Sequence, residues 1–290
     1  MNRKKIYIRF INYYYITYFE RGIKGVENNG ISGNFFELGL YRMIDVNTIS
    51  LVVIGLGASF LGTLAGGAGF ITVPAMMLTG IPIQTSIATN KFSSGIAAAS
   101  SVFYLLHHKQ MKAMSIICIF LLAFSGGIGG ALLTAHLQEK TMNVLAFFLL
   151  CAALAVNLKN KKWDSNPESQ QYSINKRNIY FPILIAAYDG GFGPGSSTFS
   201  ILYFMKNNSS YIKAAQLTRV LIFGSCAGGF IVFYQTGFIQ WPYAIAMALG
   251  STVGSQMGIM ILPKIRTKTA KYLINLMICL LIAQTFIKII

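Results

Sequence analysis

The sequence predicts an all-α integral membrane protein, a duplicated helical bundle with about eight transmembrane segments. Hydrophobic residues make up 54% of the 290 residues and charged residues only 11%, whereas soluble domains are about a quarter charged. Uncharged runs such as 113–135 and 241–262 are long enough, at ~1.5 Å per helical residue, to cross the ~30 Å hydrocarbon core of a bilayer. An internal repeat is the third observation that predicts this fold class.

The repeat appears when the chain is aligned with itself, without gaps, at an offset of 128 residues. Residues of the same kind then coincide, among them Gly62 and Gly190, Gly67 and Gly195, Lys91 and Arg219, and Cys151 and Cys279. Each half is predicted to begin with a glycine-broken pair of helical segments, at 49–64 and 70–79 and at 179–188 and 198–205. Three long helices follow, at about 84–106, 113–135 and 141–158 and at about 212–236, 241–262 and 269–288. Internal duplication is typical of secondary transporters.

The predicted organisation has four parts. They are a basic, aromatic N-terminal extension at 1–45, a first transmembrane repeat at 46–158, a polar linker loop at 159–178 and a second transmembrane repeat at 179–290. Met43 stands just before the first apolar run, so one interpretation is that translation starts there and the extension is absent from the native protein. The other is that the extension anchors the chain at the membrane interface, since Tyr and Arg side chains suit the headgroup layer.

The net charge of +16 does not indicate nucleic acid as a partner, because Lys and Arg lie in short loops and in the extension. Positive charge in such loops orients membrane helices. Matching loops of the two halves carry opposite charge bias, which predicts inverted repeats with cytoplasmic loops at 107–112, 159–178, 206–213 and 263–271. The expected location is the plasma membrane or the bacterial inner membrane, with lipid as the surrounding partner. No cofactor or metal is expected, since the four cysteines lie in apolar stretches without ligand spacing and His107-His108 has no partner nearby.

The two glycine-rich breaks are the first candidate site. Glycine lets a backbone leave the helix and approach a ligand closely, and a break at membrane depth must line a cavity or be buried in protein. The half-helix after each break begins with unpaired N–H groups and a positive dipole end, which favour an anion. The predicted substrate-binding residues here are Gly67, Gly69, Gly193, Gly195, Ser196 and Ser197. The alternative is that the glycines only allow close helix packing, as those at 126, 130, 254 and 258 are expected to do.

Lys91 and Arg219 are predicted to bind the same anion. Each is a cation inside an otherwise apolar helix, at repeat-equivalent positions, where insertion costs at least ~2.5–3.5 kcal/mol. Asn90 and Thr218 stand beside them as hydrogen-bond donors. The alternative is that both cations snorkel to the headgroups.

Asp189 is the one acid predicted near membrane depth. It either pairs with Arg219 or takes up a proton during transport, as the coupling residue. An intramembrane enzyme is the rival from another class, with Ser196 or Ser197 as nucleophile, but the histidines fall at helix ends and no acid accompanies them. No catalytic residue is therefore predicted. An anion channel is a closer alternative to a carrier.

Three segments together resemble the sulfite exporter TauE/SafE family of membrane permeases. They are Gly66–Pro74, Ala88–Lys91 and Tyr188–Gly195, and the similarity extends from about Ile49 to the C-terminus. The resemblance implies eight helices, four per half, and a permease for sulfite, organosulfonates or related anions driven by an ion gradient. It leaves the substrate, the direction, the coupling ion and the oligomeric state open.

Overall fold

The structure, a computed structural model, describes residues 46–111, 113–134, 148, 151, 180–193, 195–207 and 210–289. Every regular element in these ranges is helical. In chain order the helices are α1 Val46–Ala65, α2 Ala68–Leu78, α3 Ile83–His107, α4 Ala113–Thr134, α5 Tyr180–Gly191, α6 Ser196–Lys206, α7 Tyr211–Gln235, α8 Trp241–Ile261 and α9 Thr267–Ile289, with a 3₁₀ turn at Leu262–Lys264 between the last two. The all-helical prediction is confirmed for this part of the chain.

The predicted helices agree with the observed ones to within about three residues at each end. The agreement follows from the sequence, in which glycine, proline and short polar loops separate long apolar runs. The predicted helix at 141–158 lies outside the described residues except for Phe148 and Cys151, and so do the extension at 1–45 and the linker at 159–178.

The breaks between α1 and α2 and between α5 and α6 are made by glycines in the left-handed backbone region. Gly67 caps the start of α2 with φ 79°, and Gly195 caps the start of α6 with φ 79°. A side chain with a Cβ is strained in this region, so glycine is the residue that allows the chain to leave one helix and begin the next within two to four residues. Because glycine has no side chain that could accept a hydrogen bond, neither N-cap residue forms a side-chain hydrogen bond with the helix that it starts.

The long helices pack across the two halves of the chain. Helix α4 packs against α5 and α7, while α8 packs against α1 and α3. A Cβ on Gly130 would overlap the carbonyl oxygen of Ala187, and one on Gly254 would overlap that of Leu56. These glycines therefore allow close contact between helix backbones, as the sequence predicts.

Four helices in the described part are long and apolar enough to cross a membrane, over Thr48–Ala65, Ala113–Thr134, Tyr211–Gln235 and Trp241–Lys264. Helix α3, at 25 residues, is long enough but too polar to meet the same measure. In α3 the polarity comes from buried Ser, Thr, Asn and Lys side chains. A count of eight spans stays a prediction.

Apolar side chains cover the outer faces of these helices. Val53, Phe103, Met114 and Leu249 are each more than 60% exposed. Lys91, Asp189, Arg219 and many hydroxyl side chains lie in the interior instead. Large exposed apolar faces around a polar interior are typical of helices surrounded by lipid.

Candidate functional site

The two glycine breaks touch each other inside the bundle. The hydroxyl of Thr198, in the first turn of α6, donates to the carbonyl oxygen of Ala65 at the end of α1, at 3.3 Å. A Cβ on Gly66 would lie 2.5 Å from the amide nitrogen of Thr198. Segments 128 residues apart in the sequence thus form one continuous region, and the starts of α2 and α6 lie within it.

A small polar cavity opens at this junction, with room for about one water molecule. Both half-helices contribute their first two residues to its wall, Ala68 and Gly69 from α2 and Ser196 and Ser197 from α6. The other lining residues are Ser59, Asn90, Ser94, Ala97, Asp189, Gly193, Arg219, Ile222 and Cys226. Because N–H groups at the start of a helix favour negative charge, two helix starts at one cavity suit an anion.

Arg219 lines the cavity as a buried cation that forms no ion pair with a carboxylate of the described residues. Its side chain is 5% exposed, and its Nη1 donates to the hydroxyl oxygen of Thr63 at 3.1 Å. Within the described part of the chain it makes no other hydrogen bond and no ion pair. A buried guanidinium that keeps most of its five donors free is costly unless a further partner binds there.

Thr63 is held in place from three sides. Its hydroxyl lies 2.7 Å from the carbonyl oxygen of Ser59 and 3.3 Å from the hydroxyl of Ser255 on α8. Ser255 in turn lies 2.7 Å from the hydroxyl of Ser101 on α3. This chain of hydroxyls fixes the one group that positions Arg219.

Lys91 is fully buried and lies against the second break. Its Nζ donates to the backbone oxygen of Asp189 and lies 3.9 Å from Oδ1 of the same residue. A Cβ on Gly193, whose φ is 95°, would come 2.6 Å from Nζ, so the glycine makes room for the ammonium group. Neither Lys91 nor Arg219 snorkels to the headgroups in this structure.

The carboxylate of Asp189 is closely surrounded by donors. Ser196 donates to Oδ1, Ser225 donates to Oδ2, and the Sγ of Cys226 lies 3.5 Å from Oδ2. Its cationic partner is Lys91, which corrects the hypothesis of an Asp189–Arg219 pair. The reason lies in the packing, since α3 brings Lys91 to the end of α5 while Arg219 points to Thr63 on α1.

Asn90 lines the cavity and has a free donor. Its Oδ1 accepts hydrogen bonds from Thr72 at 2.7 Å and from Ser94 at 3.1 Å. These two bonds fix the amide group, and its Nδ2 has no hydrogen-bond partner among the described residues. Asn90 is therefore placed to donate to an anion beside Arg219.

The structure brings together seven of the eleven residues predicted for the site. Lining the cavity are Gly69, Asn90, Asp189, Gly193, Ser196, Ser197 and Arg219. Lys91 lies behind Asp189, and Gly67 and Gly195 act as helix caps outside the lining. Thr218 is buried next to Arg219, and its hydroxyl has no hydrogen-bond partner in the described ranges.

Three residues of the site were not predicted from the sequence: Thr63, Ser225 and Cys226. Thr63 belongs to the same glycine-rich segment as Gly67. Its hydroxyl group, four residues before the helix break, could have identified it as a site residue. Cys226 follows Arg219 by seven residues, about two helical turns, so it lies on nearly the same side of α7, and Ser225 precedes it by one residue.

One family profile and several known proteins match this chain. The profile of the family described as sulfite exporter TauE/SafE matches residues 51–285. A probable membrane transporter protein of Sinorhizobium sp., ORF9, is 32% identical over 210 residues, covering 72% of this chain and 80% of its own length.

Two further relatives carry similar names. A probable membrane transporter protein of Haemophilus influenzae is 30% identical, covering 72% of this chain and 82% of its own. The probable membrane transporter protein YunE of Bacillus subtilis is 24% identical, covering 81% and 96%. No solved structure is significantly similar to this chain.

Proposed function

Because the chain belongs to the sulfite exporter TauE/SafE family, we propose that it is a secondary transporter that moves a small anion across the cell membrane. The anion proposed is sulfite, an organosulfonate or a related oxyanion. The chain is a multi-pass membrane protein, and its relatives are named as membrane transporters. No observation favours an enzyme.

The buried guanidinium of Arg219 carries the proposal. Leaving a charge buried without a partner is strongly destabilising, and the one hydroxyl that Arg219 contacts does not neutralise it. A planar guanidinium matches two oxygens of an oxyanion at once. The N–H groups at the starts of α2 and α6 and the free Nδ2 of Asn90 would complete the shell of donors.

We further propose that the transporter consists of two inverted repeats that rock about this cavity. Three helices begin 128 residues after a counterpart, since α6, α7 and α8 start at Ser196, Tyr211 and Trp241 while α2, α3 and α4 start at Ala68, Ile83 and Ala113. The contacts follow the same pattern: Lys91 of the first half lies at the break of the second, and Arg219 of the second half contacts α1 of the first. Transporters with discontinuous helices commonly place their substrate between such repeats.

Asp189 is the proposed coupling residue. In this conformation Lys91 lies 3.9 Å from its carboxylate, and Ser196 and Ser225 donate to it. The proposed proton uptake belongs to a conformation in which Lys91 has moved away. Rocking of the halves would produce that conformation, because Lys91 and Asp189 lie in different halves.

The test is uptake of radiolabelled sulfite, methanesulfonate and sulfate by proteoliposomes containing the purified full-length protein, with and without a pH gradient. We expect saturable uptake of at least one anion, counterflow against unlabelled anion, and a faster initial rate with the gradient. Counterflow separates a carrier from a channel. Liposomes without protein are the control, and uptake no faster than theirs for every anion would refute the proposal.

A further inference from the structure

We propose that Asp189 sets the charge of the anion that the site accepts, restricting it to singly charged oxyanions. The inference rests on the proposed function and refines its substrate class. Lys91, Asp189 and Arg219 are the buried charged side chains in the described part of the chain. All three meet at the junction of the two glycine breaks, so the balance of their charges decides what the cavity can bind.

Asp189 and Lys91 neutralise each other. Their charged groups are 3.9 Å apart, and Lys91 also donates to the backbone oxygen of Asp189. Asp189 lines the cavity while Lys91 does not, so an incoming anion meets the carboxylate of this pair as well as Arg219. Arg219 forms no ion pair with the described residues, so the three side chains together carry one net positive charge.

A buried site is most stable when its formal charges cancel, since uncompensated charge is costly at low dielectric. A singly charged oxyanion on Arg219 gives a neutral assembly. A doubly charged one leaves an excess negative charge that also repels Asp189. The positive starts of α2 and α6 attract a doubly charged anion more strongly than a singly charged one. They are unchanged in Asp189→Asn, so the change of the ratio between that variant and wild type reports the charge of Asp189.

Methanesulfonate and sulfate are suitable probes, because both are small and tetrahedral at sulfur while their charges are −1 and −2. Their dissociation constants would be measured by isothermal titration calorimetry on purified full-length protein at constant ionic strength. We expect wild type to bind methanesulfonate at least tenfold more tightly than sulfate. Asp189→Asn should shift the ratio of the two constants at least tenfold towards sulfate.

Two variants serve as matched controls. Asp189→Glu keeps the charge and should keep the wild-type ratio. The double variant Lys91→Gln/Asp189→Asn restores the wild-type net charge and should return the ratio to within a few-fold of the wild-type value. A ratio that stays shifted in the double variant would show that Asp189 acts by direct contact and not through the charge balance.

The remaining outcomes distinguish failure of this inference from failure of the proposed anion site. Tighter binding of sulfate by wild type, or an unchanged ratio in Asp189→Asn, overturns this inference while leaving anion binding in place. Binding of neither anion overturns the proposed site itself. Should Asp189→Asn fail to insert, the double variant still tests the charge balance, and tighter binding of sulfate by wild type still refutes the inference.

Discussion

Replacing Arg219 with Gln is expected to weaken anion binding and transport by roughly ten- to over a hundredfold. The estimate follows from the loss of one hydrogen bond to a charged group, ~1.5–3 kcal/mol. Glutamine keeps a donor for Thr63 but removes the one buried charge that no described residue neutralises. Arg219→Lys should recover only part of the affinity, because an ammonium group cannot bind two oxygens in the same plane.

The measurement is the concentration dependence of initial uptake in proteoliposomes, at matched protein abundance. Lys206→Gln is the control, because Lys206 is an exposed cation at the end of α6, away from the cavity. It should transport like wild type. Wild-type kinetics in Arg219→Gln would show that Arg219 is structural and that the anion binds elsewhere.

Replacing Lys91 with Gln is expected to destabilise the protein by about 3–5 kcal/mol, the usual cost of removing one partner of a buried ion pair. Lys91 is fully buried, and its removal leaves the Asp189 carboxylate without a cation. The double variant Lys91→Gln/Asp189→Asn should regain much of the stability, since it leaves no unpaired charge.

Thermal stability in detergent, followed by size-exclusion chromatography after heating, compares the variants directly. The expected order is wild type, then the double variant, then Lys91→Gln with the lowest transition temperature. Lys206→Gln again provides an exposed-charge control and should match wild type. A double variant no more stable than Lys91→Gln would mean that the two residues do not stabilise each other.

The helices were predictable because their signals are local. The apolar run that forms α4 and the glycines that flank α2, Gly67 and Gly80, fix the ends of these helices without knowledge of the rest of the fold. The glycine breaks were equally visible, since left-handed conformations at Gly67 and Gly195 require glycine. Repeat-equivalent positions marked Lys91 and Arg219 as candidates.

The partners of these charges were not predictable, because they depend on packing between distant segments. Lys91 meets Asp189 across 98 residues of sequence, and Arg219 meets Thr63 across 156. Asp189 has no counterpart in the first half, where Leu61 occupies the equivalent position, so the repeat gave no indication of which cation it would meet. Only the folded chain, in which the side chain of Lys91 reaches the end of α5, decides this.

The most direct test of anion binding at Arg219 is to locate a bound anion in the protein. Crystals of the full-length protein soaked in selenite, the heavier analogue of sulfite, would be measured at the selenium absorption edge. We expect an anomalous peak within hydrogen-bonding distance of the Arg219 guanidinium, between the first turns of α2 and α6. A peak bound only elsewhere, or no peak at a concentration that saturates transport, would contradict it.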